Sequence, residues 1–167
     1  MLRWPQGSTS RKDSPCRPSP PIVEAANSDQ RSIDALAALH TRITDSLAGF
    51  NKMLETAEPE FSPTVQRFCD LHTRHAAMVA AMLATKGYMV DAEGSLMGTI
   101  NRAVVAVRSF FDDVDADLMT AIRDGEHHVL SAFAEAIAQP LTPDDVTRLS
   151  YMRDELVTLL QKPAAGG

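Results

Sequence analysis

Three of the five histidines in this 167-residue chain fall on helical stripes where leucine or isoleucine would be expected. His40 interrupts the line Ile33, Leu36, Ile43, Leu47, Phe50, Leu54, and His72 and His75 interrupt the line Val65, Phe68, Val79, Met82. One carboxylate, Glu126, does the same on the line Leu118, Ile122, Val129, Phe133, Ile137. Burying a polar or charged side chain without a partner costs several kcal/mol. Residues placed this way therefore need each other, a metal ion or trapped water. Imidazoles with a carboxylate suit Zn, Fe or Mn. The spacing His72-x-x-His75 puts both rings on one helix face, as chelation by a single ion requires. The expectation is a single divalent metal held by His40, His72, His75 and Glu126. The alternative is a metal-free polar layer that fixes how the helices register, in a non-enzymatic structural or stress-associated interaction protein.

Neighbouring residues are weighed against the same wheel. Asp45 lies on the flank of its stripe and could support an imidazole, or simply face solvent. If Glu126 faces inward, His127 and His128 point about 100° and 200° away from it, towards the surface. The methionines read as core gap-fillers. No nucleophile–base set appears, and the Gly94 to Gly98 stretch lacks the strand and lysine of a phosphate loop. No catalytic residue is assigned.

These side chains must be carried by helices. Apolar residues recur at steps of three and four over most of the chain, which predicts an all-α fold. The first helix is expected from near Ser32 to Glu55. The second opens at Ser62-Pro63, an N-cap followed by proline at the first helical position, and runs to about Lys86, with Gly87 as a left-handed cap. Tyr88 to Glu93 reads as a loop. The third helix is expected over about Ser95 to Phe111 and the fourth over about Asp115 to Gln139. Thr142-Pro143-Asp144-Asp145 resembles a capping box that opens a fifth helix ending near Gln161. Short loops between long helices favour an antiparallel, up-down four-helix bundle, with the fifth helix across an end or along one side. Mirroring heights about each loop places His40, His72, His75 and Glu126 in one slab roughly 6 Å thick, at 1.5 Å rise per residue.

Residues 1–28 read as a separate, disordered, Pro/Ser-rich basic arm, 29–162 as the bundle and 163–167 as a frayed tail. A net charge of −6 argues against nucleic-acid binding. No apolar run approaches the ~20 residues that span a bilayer. Cys16 and Cys69 read as free thiols in a reducing cytoplasm. Partners, if any, are a second copy or another protein, met through Ala-rich helix faces such as Ala76, Ala77, Ala80, Ala81 and Ala84, or through the arm.

Three short pieces carry a family resemblance: Asp45-Ser46 with Gly49-Phe50; Gly94-Ser95-Leu96-Met97-Gly98 followed by Asn101-Arg102; and Arg123-Asp124-Gly125-Glu126 with Phe133 two turns on. With these, the chain resembles the ferritin-like four-helix-bundle domain of a bacterial family of uncharacterised function, over roughly residues 32–161. The resemblance implies the bundle fold and a distant relation to ferritins and rubrerythrins. Di-metal bundles of that kind use a Glu from each of two helices and Glu-x-x-His from each of the other two. Here His72-x-x-His75 stands where Glu-x-x-His is needed, and Val129 stands three residues after Glu126. A di-iron centre is therefore not expected.

Overall fold

The computed structural model describes residues 22–56, 59, 61–90 and 118–162. Among them are four helices, α1 (Ile22–Thr56), α2 (Ser62–Thr85), α3 (Leu118–Ile137) and α4 (Pro143–Leu160), and no strand. The third helix expected over 95–111 lies outside the described residues, as do residues 1–21 of the expected arm and the tail at 163–167.

The first helix starts at Ile22 rather than near Ser32. It begins directly after Pro20-Pro21, where a helix can start but could not have continued. Residues 22–31 hold no glycine or proline, and from Ala26 to Arg31 almost every side chain is exposed. An exposed helical stretch shows no apolar period, so the sequence over 26–31 looks like part of the arm. Local bonds support it, from Gln30 Nε2 to Asp34 Oδ1 at 2.8 Å and from Arg31 Nε to the Asn27 carbonyl at 3.2 Å.

The caps follow the sequence closely, with one shift. Phe61, not Ser62, is the N-cap of α2, with Pro63 just inside the helix. At the other end Gly87 takes φ +76°. Its N–H donates to Ala84 O and that of Tyr88 to Leu83 O, both at 3.0 Å, a Schellman ending. At the start of α4 the Thr142 hydroxyl accepts from the Asp145 N–H at 3.2 Å, with Pro143 at the first helical position.

Packing arranges the helices in a ring. α1 lies against α2 and α3, and α4 lies against α3 and, more loosely, α2. α1 and α4 are therefore diagonal to each other, as are α2 and α3. Of the two expected placements for the last helix, across an end or along one side, the described residues show the second: it packs along α3 and, more loosely, α2. Neighbours run antiparallel. The Ser32 hydroxyl reaches the Pro140 carbonyl at 3.4 Å, joining the α1 core edge to the end of α3. The diagonal pair α2 and α3 is consequently parallel. The chain leaves α2 at one end of the bundle and enters α3 at the other.

The apolar part of the core between them is Leu36, Leu39 and Ile43 from α1, Val65, Phe68, Val79 and Leu83 from α2, Val129, Phe133 and Ala136 from α3, and Leu149, Met152 and Leu156 from α4. Cys69 is a buried free thiol, pushed up from its ordinary pKa by burial and by Asp70, as suits a small core residue.

The Thr142 cap is the cheapest test of α4. Thr142→Ala is expected to cost about 1 kcal/mol and Thr142→Gly only a few tenths. Equal melting temperatures for the wild type and Thr142→Ala would show that the cap contributes nothing.

Candidate functional site: a buried histidine–carboxylate layer

Helix α2 buries His72 and His75 on the face that also buries Phe68, Val79 and Met82, and both histidines have no exposed surface. Spacing of three residues sets them one turn apart, yet they reach different helices. His72 turns across the diagonal to α3, where its Nε2–H donates to Oε1 of Glu126 at 3.0 Å, with both side chains buried. His75 turns to the neighbouring α4, where its Nε2–H donates to Oε2 of Glu155 at 3.1 Å. An ionised carboxylate offers only acceptors, so an imidazole bonded to one carries a proton on the bonded nitrogen. Arg74 Nη1 approaches the other oxygen of Glu155 at 3.4 Å.

Aromatic rings fix the imidazoles in place. Phe50 of α1 stacks on Phe68 at 5.1 Å between centroids and on the ring of His72 at 5.6 Å. The His72 and His75 rings meet edge to face at 6.4 Å, and His75 meets Phe133 of α3 edge to face at 5.9 Å. A phenylalanine from α1 thus packs on His72 and one from α3 on His75.

Three of the four expected ligands lie in this layer and one does not. The Phe50–Phe68 stack sets the register of α1 on α2. It places His40 level with Met78, about one turn beyond His75. His40 is only half-buried, because Leu39 fills the core position between Leu36 and Ile43. Steps of three and four fit Leu36–Leu39–Ile43 as well as Leu36–His40–Ile43, and the structure uses the first. His75 pairs with Glu155, which the sequence reading missed. Glu155 lies beside Leu156 on the flank of α4, where it looks like any solvent-facing acid. Only the position of α4 between α2 and α3 brings it to His75. Among the described residues, no three His, Cys, Asp or Glu side chains converge in a way that could hold a metal ion. His127 and His128 are exposed, as the wheel requires.

The electrostatics follow the burial. Burial pushes the imidazole of His75 below its ordinary value, and the hydrogen bond and charge of Glu155 only partly oppose it. Burial likewise lowers His40. For Glu155 burial pushes upward, but hydrogen bonds from His75 and Arg74, with the charge of Arg74, outweigh it and hold the carboxyl below its usual range. Three buried atoms find no hydrogen-bond partner among the described residues: Nδ1 of His72, Nδ1 of His75 and Oε2 of Glu126.

Two predictions come from this geometry. Glu126→Leu leaves the buried His72 donor without an acceptor and is expected to cost roughly 1–3 kcal/mol, while His72→Leu with Glu126→Leu recovers most of the loss. Denaturant melts of the single and double variants measure this, and strict additivity would refute the coupling. The second concerns pH. His75 and His40 bind a proton more readily in the unfolded chain, so stability is complete above their ordinary value near 6.5 and falls as pH drops below it. Glu155 adds a second loss as pH falls below its ordinary 4.5. A melting temperature that stays flat from pH about 7 to about 5 would contradict the histidine part.

The family model described as Domain of unknown function (DUF2383) matches residues 31–139. The matched segment contains His40, His72, His75 and Glu126 and stops before α4, so Glu155 lies beyond it. No curated protein and no solved structure matches the chain. Since the match takes in more than half of the sequence, the chain belongs to the DUF2383 family.

Proposed function

We propose that this chain is a non-enzymatic, ferritin-like bundle whose buried histidine–carboxylate layer fixes which helices pair and in what register. The observation that carries this reading is the pair of imidazole–carboxylate bonds leaving one face of α2 for two different helices. A slip of α2 by one turn would bury both imidazoles against apolar side chains, so the layer selects one register. The ferritin-like part is supported by topology. Ferritin-like folds contain one long crossover, and parallel α2 and α3 on one diagonal fit such a path.

A protein of this kind acts through its surface. The exposed Ala77, Met78, Ala81 and Ala84 on α2, together with Tyr88, form a continuous face suited to a second copy or a protein partner. No described helix is long and apolar enough to cross a membrane.

A second reading, one divalent Zn, Fe or Mn ion, is favoured by the three buried atoms without partners. The side chains of His72, His75 and Glu126 do not converge on one point here, so each would have to turn towards the ion, with His40 reaching in from the next turn as the fourth ligand. Such an ion would supply Lewis acidity, or redox chemistry if iron or manganese.

Elemental analysis of untagged protein from cells grown with trace metals separates the two. Metal-free protein whose melting temperature is indifferent to chelator is the expected result for the structural layer. About one ion per chain, lost in both His72→Ala and His75→Ala, would replace that reading with the metal centre.

A further inference from the structure

A groove of about 550 Å³ runs between α2 and α4, where those helices are only loosely packed. Its size falls within the range of small-molecule sites. Leu71 and Leu159 supply apolar surface, and the remaining lining is mostly charged.

The carboxylates of the groove already have partners. Asp70 accepts from Gln66 Nε2 at 2.8 Å, Asp154 from Arg153 Nη2 at 2.9 Å, and Glu155 from His75 and Arg74. Arg74 is thereby answered. Two cations are not: no carboxylate among the described residues pairs with Arg67 or Lys162. Their placement follows from the antiparallel register. Arg67 lies two helical turns before Arg74, and Lys162 lies the same number of residues beyond Glu155. They therefore sit nearly level, about 10 Å along the groove from the Arg74–Glu155 pair. Like charges facing each other across a groove repel, and Asp70 offsets only one of them. The last carbonyls of α4 add partial negative charge at this end, but Arg123 Nε donates to one of them, Leu160 O, at 3.4 Å.

We propose that this end of the groove binds a small organic oxyanion, its doubly charged head between Arg67 and Lys162 and a compact apolar body over Leu71 and Leu159. A guanidinium presents a planar fork that matches phosphate oxygens, and an ammonium adds a compact point charge. The two leucines give the organic part a surface that an inorganic ion cannot use.

Phenyl phosphate is the probe. Titrated at constant ionic strength, it is expected to shift the amide resonances of Leu71 and Leu159 saturably and to raise the melting temperature by a few degrees. Arg67→Gln and Lys162→Gln, both at exposed positions, are each expected to weaken binding about tenfold. Their melting temperatures without ligand check that the fold is intact. The absence of a saturable shift, unchanged affinity in both variants, or an equal effect from sodium chloride would overturn the site. Inorganic phosphate binding as tightly as phenyl phosphate would overturn the role of the leucine surface.

Discussion

The bundle depends on one constraint: α2 buries two imidazoles on a single face, and each must find an acceptor. Apolar packing alone tolerates many rotations and shifts of one helix on another, because leucine against leucine is nearly indifferent to register. A buried N–H is not indifferent, since leaving it unmade costs more than making it gains. His72 finds its acceptor across the diagonal and His75 in the adjacent helix. These two bonds pin α3 and α4 to the same two turns of α2. The phenylalanines that clamp the rings bring α1 into the same arrangement.

The layer also reaches beyond the segment that the family model matches. The His72–Glu126 bond lies wholly within the matched segment, while the His75–Glu155 bond joins that segment to a helix beyond it. Arg74 gives Glu155 a second partner, so the carboxylate is held from the buried and the exposed side at once. Next to it the two helices part and the groove opens. The polar contact holds α4 where apolar packing against α2 is thin.

How much of this was legible in the sequence depends on the kind of signal. The all-helical class, the left-handed glycine after α2 and the threonine cap of α4 rest on local rules and could be read directly. The inward faces of His72, His75 and Glu126 were legible because each interrupts an otherwise apolar line. His40 was misplaced because two lines through α1 fit the helical period equally well, and periodicity cannot choose between them. Glu155 was invisible because an acid on a helix flank has no signal until its neighbour is known. The start of α1 was missed for the opposite reason: an exposed stretch such as 26–31 leaves no apolar stripe. Mirror arguments about loops left the last helix either across an end or along one side, since height says nothing about which corner a helix takes.

The parallel run of α2 and α3 has a consequence for how the molecule assembles. α1 with α2, and α3 with α4, are hairpins whose partners are close in sequence, so each closes with little loss of chain entropy. Both histidine–carboxylate bonds instead connect one hairpin to the other, across a long stretch of chain. They tie the two hairpins to each other and lie within neither. Contacts between residues so far apart in sequence must offset a larger loss of chain entropy than contacts within a hairpin. The layer spans the join that chain connectivity does least to hold closed.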